Sequence, residues 1–189
     1  YQERALKLKE ELGDRAGVAA TLGNIGNIHE NLGDYPRALE YQERSLRLRE
    51  GLGDRAGIAA TLGNLGGLHR GLGDHRRALE YQERTLKLME ELGDRAGIAA
   101  ALGSIGNVHM RLGDYGRALE YQEKSLRLTE QHGGHAGMAL TLGSMGAIHE
   151  RIGDYPRALE YRERALAAAR EIGDAGAEVS NLWGIAAVH

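Results

Sequence analysis

Cysteine is absent from the 189 residues, which removes disulfide scaffolds, Cys-ligated zinc, iron–sulfur clusters and thiol nucleophiles together. Phenylalanine is absent too, aromatic residues make up 5%, and the one Trp sits near the end. A core must therefore be assembled from Leu, Ile, Ala and Tyr. No apolar run approaches the ~20 residues of a membrane span. Neither sign of charge dominates: 24 Lys+Arg against 27 Asp+Glu give a formal net charge of -3. Without a strong basic excess, no nucleic-acid or membrane partner is expected. Proline is nearly missing, at 2, whereas Gly reaches 28. Gly-rich disordered chains bring Ser, Pro or Gln with them, so these glycines need a structural use.

What is there is a period. Tyr1, Tyr41, Tyr81, Tyr121 and Tyr161 stand 40 residues apart, each opening a segment such as YQERSLRLRE. LGNIGNIHE at 22–30 recurs as LGNLGGLHR at 62–70, LGSIGNVHM at 102–110 and LGSMGAIHE at 142–150, with no insertion breaking the register. A finer beat of 20 residues carries Leu12-Gly13-Asp14, Leu32-Gly33-Asp34, Leu52-Gly53-Asp54 and their successors. Each repeat thus holds two elements of similar length with the same punctuation.

That punctuation reads as helix stop and helix start. Glycine just past a periodic segment suits a left-handed cap, having no Cβ to clash. The aspartate after it can accept from the free N–H groups opening the next helix. Pro36 and Pro156 follow within two residues of such an Asp, in the first turn, where a missing N–H is no loss. In the second element of a repeat (helix B), Ala38, Leu39, Tyr41, Ser45, Leu46 and Leu48 recur at helical spacing, while Glu40–Arg44 and Glu43–Arg47 form i to i+4 pairs opposite. In the first (helix A, Arg15 to Leu32), Leu22, Ile25, Gly26, Ile28, His29 and Leu32 share one stripe. The alternation of a half-buried strand is missing, so an all-α fold is expected.

Two antiparallel helices of about 17 residues cannot bury their apolar faces alone, so neighbouring pairs must stack into a solenoid. The expected organisation is one array over 1–189: a partial helix B at 1–12, full repeats at 14–52, 54–92, 94–132 and 134–172, and a partial helix A at 174–189. With no initiator Met and no capping repeat, the chain reads as an excised piece of a longer array. A cytoplasmic location is the expectation.

Leu22, Ile25, Gly26, Gly33, Tyr35, Ala38, Ser45 and Leu46, repeated at Leu62/Gly66/Gly73/Ala78, Leu102/Gly106/Gly113/Ala118 and Leu142/Gly146/Gly153/Ala158, resemble the large, small and aromatic signature of tetratricopeptide repeats. The common form of that family has a period of about 34 residues. The longer period here is similar to the subclass found in LGN/Pins-type polarity adaptors and in bacterial signalling arrays. The resemblance implies a right-handed superhelix that binds other proteins. Three departures stand out. The usual helix-A Tyr is His29, His69, His109 and His149. The second helix-B aromatic is Gln42, Gln82 and Gln122, becoming Arg162. At 132–134 the turn decays to His-Gly-Gly, so Gly134 lacks the Asp cap and the helix after it should fray.

Glycines at 23/26, 63/66, 103/106 and 143/146 lie mid-helix, where each costs ~1 kcal/mol against Ala. The Gly26 column matches the family's small-residue site, where helices A and B approach closely. Helical arithmetic puts Gly23, with Gly63 and Gly103, beside Ala20, Asn24 and Asn27 on a face turned from helix B. In the resembled family that face lines the concave groove; the alternative is packing against a neighbouring helix A. Asn24 and Asn27, three apart, share a face, and their counterparts are Asn64 and Gly67, Ser104 and Asn107, Ser144 and Ala147. An amide both donates and accepts, which suits a peptide main chain. The resemblance implies that role for Asn24, Asn27, Asn64, Ser104, Asn107 and Ser144; otherwise they are hydrated. The family's groove arginines, which suit acidic peptides, are here Ala20, Ala60, Ala100 and Leu140, so acidic-peptide recognition of that kind is not expected. Glu30, Arg70, Arg111, Glu150 and Arg151 border the groove with mixed sign.

His29, His69, His109, His149 and His189 form a column. Equivalent residues of stacked repeats sit about 10 Å apart, too far to share a zinc ion with bonds near 2.1 Å. They are expected in the seam between helices A and B. His132 and His135, with Glu130 near, offer no convergent third ligand. HExxH, G-x-S-x-G, P-loop and GxGxxG are all missing. No metal, cofactor or enzymatic activity is expected. The function expected is a protein-interaction scaffold holding an extended peptide. The alternatives are head-to-tail self-association through Leu182, Trp183 and Ile185, or a spacer or sensor arm of a larger bacterial signalling protein.

Overall fold

Eight glycines with positive φ, spaced at multiples of twenty residues among the described residues, mark where the helices stop. The structure, a computed structural model, describes residues 2–131 and 134–188. Among the described residues there are ten helices and no strand: α1 (Gln2–Glu11), α2 (Arg15–Asn31), α3 (Tyr35–Leu52), α4 (Arg55–Gly71), α5 (His75–Leu92), α6 (Arg95–Leu112), α7 (Tyr115–Gln131), α8 (His135–Ile152), α9 (Tyr155–Glu171) and α10 (Ala175–Val188). Gly13, Gly33, Gly53, Gly73, Gly93, Gly113, Gly153 and Gly173 have φ between 68 and 86°, the left-handed region a Cβ disfavours.

The aspartate that follows works in both directions. Its main-chain N–H closes the helix behind it, as Asp34 N to His29 O at 2.9 Å and Asp54 N to Arg49 O at 3.0 Å. Its carboxylate opens the helix ahead. Asp14, Asp54 and Asp94 accept from Gly17, Gly57 and Gly97 N at 2.8, 2.9 and 2.9 Å. Asp34, Asp74, Asp114 and Asp154 accept from Arg37, Arg77, Arg117 and Arg157 N at 3.2–3.3 Å. Glycine explains the shorter set, because a Cβ at Gly17 or Gly57 would stand 2.0 Å from the capping Oδ2.

At α8 the cap is missing, as the sequence implied: Gly134 occupies the N-cap with φ -80 and ψ 71 and offers no side-chain hydrogen bond. That backbone differs little from Asp14, at φ -76 and ψ 78, and Gly137 preserves the glycine that seats the carboxylate. Gly134→Asp is therefore expected to stabilise the protein by about 1 kcal/mol, read as a raised melting temperature.

The chain divides into two compact units, residues 1–93 and 94–189. In the first, α2 packs on α3 and α4 on α5, with α3 against α4. The pairs run antiparallel: Gln42 of α3 bonds the main chain of α2 at Gly23, whereas Ser45, further along, bonds it at Ala19. Leu22, Leu62, Leu65 and Leu68 are buried at the seams, each contributing about 1.5–3 kcal/mol by leaving water. The expected helix-A stripe needs one correction. Ile28 is 45% and Leu32 74% exposed, whereas Leu68, in the Ile28 column, is fully buried. Leu68 lies on α4, against which α3 packs. Leu32 lies beyond the end of α2, as its C-cap. In the second unit, Leu126, Leu142, Met145 and Ala165 form the core between α7, α8 and α9, with Leu119, Met138 and Tyr161 packed on it.

Candidate interaction surface

A glutamine crosses the seam of three helix pairs. Gln42 is fully buried, and its Nε2 donates to Gly23 O at 3.1 Å and to Asn27 Oδ1 at 2.6 Å. Gln122 repeats this with Gly103 O at 3.1 Å and Asn107 Oδ1 at 3.0 Å. Gln82 donates to Gly63 O at 3.0 Å; Gly67 stands where an Asn would be its second acceptor. The Gly26 column is what lets the glutamine through. A Cβ at Gly26, Gly66 or Gly106 would come within 2.9, 2.6 or 3.0 Å of its side chain.

The asparagines are therefore divided in duty. Asn24 is exposed and unengaged among the described residues. Asn27 is exposed, yet its Oδ1 takes a second hydrogen bond from Asn64 Nδ2 at 3.2 Å, so its acceptor is spent within the first unit. Asn107 is spent likewise on Gln122. Ser144 Oγ donates to Leu140 O of its own helix at 3.0 Å. Gly103, Ser104, Asn107 and Ser144 do come together, lining a cavity of about 390 Å³ between α6, α7 and α8. Sequence reasoning missed its other polar walls, Gln122, Ser125, Thr129 and Thr141. The 26-residue offset that ties Ser125 Oγ to Ala99 O at 2.8 Å recurs in the first unit, where Ser45 Oγ meets Ala19 O at 2.8 Å, and was the available signal.

The Gly23 column does not face away from helix B. Gly23 is buried, and a Cβ there would stand 3.6 Å from Ser45 Oγ; at Gly63 it would meet Thr85 Cγ2 at 3.8 Å and at Gly103 Ser125 Oγ at 3.5 Å. The column sits at the lip of the seam, so Gly103 both touches α7 and lines the cavity. Leu182 and Trp183 of α10 are 45% and 74% exposed, whereas Ile185 is half-buried.

One repeat departs from the glutamine rule. Arg162 of α9 replaces it, and its Nε and Nη2 reach Glu150 Oε1 and Oε2 at 2.8 and 3.2 Å. Asn181 Oδ1 accepts from Nη1 at 3.5 Å. The guanidinium threads between Gly146 and Gly184, where a Cβ would lie 3.1 and 2.5 Å from Nε.

The histidines fill the A–B seam, as expected of them. His29, His69, His109 and His149 stack on Tyr41, Tyr81, Tyr121 and Tyr161 with centroids 5.3–5.5 Å apart. Each Nδ1 lies 3.4–3.7 Å from Oδ2 of the next capping aspartate. His132 and His189 lie outside the described residues. His135 Nδ1 meets Glu171 Oε2 at 2.7 Å, and among the described residues no group of three His, Cys, Asp or Glu could hold a metal. Burial pushes His69 and His149 below the ordinary imidazole range, against the pull of Asp74 and Asp154. Burial also lifts the Glu30 carboxyl above its usual range, with Arg70 opposing.

A depressed imidazole has a defined effect on stability. In the unfolded chain His69 and His149 take up protons near 6.5; in the folded chain they do so only at lower pH. The unfolded state thus binds more protons across that window, so stability is whole above the unfolded value and falls as pH drops through the folded one. Melting temperature measured from pH 8 to pH 5 should decline, and less steeply in the His69→Gln/His149→Gln protein. Parallel slopes would dismiss the histidines.

With this geometry in hand, the comparisons with known proteins are specific about fold. The family model for the tetratricopeptide repeat matches residues 1–51, 17–91 and 97–171. No curated protein matches the chain. Among solved structures, BtubC (BKLC) from P. vanneervenii superposes with a TM-score of 0.84 at 19% identity, over 99% of this chain and 80% of that one. A signal transduction ATPase with numerous domains from Pyrococcus horikoshii, which carries a tetratricopeptide repeat sensor, gives 0.82 at 16% identity, over 99% of this chain and 30% of its own. A Rap protein complexed with Competence and Sporulation Factor gives 0.77 at 21%, over 82% and 44%. The chain thus spans less than half of the latter two. No helix among the described residues is long and apolar enough to cross a membrane.

Proposed function

The chain belongs to the tetratricopeptide repeat family, whose helical repeats are protein-interaction modules and typically non-catalytic, and from that premise we propose that it holds an extended segment of another protein against the inner helices of its pairs. The observation that carries this is the cavity of about 390 Å³ to which α6 and α8 bring Gly103, Ser104, Asn107 and Ser144. Its volume falls within the roughly 300–1,000 Å³ of ligand clefts. In the second unit, main-chain groups of a peptide would meet Ser104 and Ser144 directly; in the first unit, taken by itself, Asn24 and Asn64 offer groups of the same kind. Asn27 and Asn107, whose carbonyls hold Gln42 and Gln122, would offer only their Nδ2 donors. Gly23, Gly63 and Gly103 would keep the lip of the seam low. The Rap protein bound to Competence and Sporulation Factor is a precedent for a ligand on this fold, and the sensor of the Pyrococcus ATPase for an arm of a larger regulator.

Asn24→Ala/Ser104→Ala removes two groups that are unengaged among the described residues. At about 1 kcal/mol for each hydrogen bond, it should weaken a peptide selected from a random library about fivefold for each of the two contacts that peptide makes, while leaving the melting temperature in place. Asn27→Ala should lower both, since Gln42 loses an acceptor. Equal loss of binding and stability in the Asn24/Ser104 protein, measured by fluorescence anisotropy and thermal unfolding, would refute the assignment.

A further inference from the structure

Among the described residues, the cavity between α6, α7 and α8 is lined by no charged side chain: its walls are Ala, Gly, Leu, Ser, Thr, Asn and Gln. In a chain that is 27% charged, such a lining selects against ions. Two further features point to what it takes. Leu140 is 69% exposed at the wall of this cavity and also of its neighbour toward α10. The other repeats have Ala20, Ala60 and Ala100 in its column, so the apolar contact is offered here and not there. Gln122, only 1% exposed, spends its Nε2 on Gly103 O and Asn107 Oδ1, while its Oε1 is buried without a hydrogen bond. A Cβ on Gly103 would stand 3.7 Å from that oxygen, so the buried acceptor lies just behind the cavity wall, with only the glycine edge in front of it. A buried acceptor left unpaired is costly, and a donor supplied from the cavity relieves it.

We infer that this cavity is a specificity subsite for an uncharged stretch of the partner segment, with an apolar side chain against Leu140 and an N–H or O–H donor directed toward Gln122 Oε1. The inference rests on the peptide-binding reading above and adds the chemical class of the ligand. A carboxylate or ammonium placed here would lose its water and find no counter-ion. The hydroxyls of Ser104 and Thr141 would serve a main chain and not a charge.

The test uses the whole chain and three pools of short, terminally blocked, fluorescein-labelled peptides, one wholly uncharged, one acidic and one basic. The uncharged pool should bind at least about tenfold more tightly than either other pool. Gly103→Ala, which covers the Gln122 acceptor, should weaken that pool. Ala100→Glu, at an exposed position on the cavity wall, should shift preference to the basic pool with the melting temperature unchanged. If the acidic or basic pool binds as tightly as the uncharged one, and Asn24→Ala/Ser104→Ala still weakens it, the subsite is wrong and the peptide-binding reading survives. If no pool binds, both are wrong.

Discussion

Glu150→Ala is expected to cost about 2–3 kcal/mol of stability, the largest effect of any single truncation proposed for this chain. Arg162 is 11% and Glu150 26% exposed at the side chain, and removing one partner of a buried pair strands the other charge, typically at about 3–5 kcal/mol. The partial exposure of Glu150 sets the lower figure. The pair itself is not a large net gain over the neutral alternative, because both charges were first desolvated. The informative comparison is thus the double variant Glu150→Met/Arg162→Gln, which copies the Met110 and Gln122 of the preceding pair and should recover most of the loss. Urea unfolding of wild type, single and double variants measures this directly. A Glu150→Ala protein within ~0.5 kcal/mol of wild type, the range of an ordinary surface change, would mean that water already solvates the guanidinium.

The second large effect is a change of sign over three residues of one helix. Gly63→Ala should stabilise, by up to ~1 kcal/mol, because the new methyl would stand 3.8 Å from Thr85 Cγ2 in ordinary contact. Gly66→Ala should destabilise by about 1–2 kcal/mol. The same helical gain applies, but the methyl would lie 2.6 Å from Nε2 and 3.0 Å from Cδ of Gln82, and overpacking costs about 1–3 kcal/mol or more. Gln82 is 5% exposed and has no room to retreat without breaking its bond to Gly63 O. Adding Gln82→Ala to Gly66→Ala should therefore cost less than the two single changes summed. Two stabilising glycine replacements, or two destabilising ones, would contradict the packing described for this seam.

The helix pairs could be read from the sequence because their signals are local. Leu-Gly-Asp fixes both a left-handed residue and a cap within three positions, and Asp54 does what Asp14 does regardless of the core. The Gly26 column was equally readable, since close approach needs a small residue wherever helices cross. Gly23 was misjudged because a helical wheel gives an angle and not a boundary: its position lies where the seam ends and the inner face begins, and only the reach of Ser45 decides between them. The engagement of Asn27 and Asn107 was hidden for a different reason. It depends on a glutamine from the other helix passing over a glycine, a three-body arrangement no single helix records. Yet Gln42, Gln82 and Gln122 each stand 16 residues after Gly26, Gly66 and Gly106, and Arg162, the longer replacement, has a second glycine at Gly184.

The side-chain hydrogen bonds that define the seams span 15, 19, 26 and 37 residues, every one shorter than the period of 40 between successive Tyr41, Tyr81 and Tyr121. The bonds of 15, 19 and 26 residues close inside one repeat, and the 37-residue bond from Asn64 to Asn27 joins one repeat to the next. Gene copying in whole multiples of that length, by unequal crossing-over for example, preserves every donor–acceptor couple at the new junction, whereas a shift of any other size severs several at once. The geometry thus acts as a ratchet on how such a gene can grow, and accounts for a register kept without insertion from Tyr41 to Tyr161.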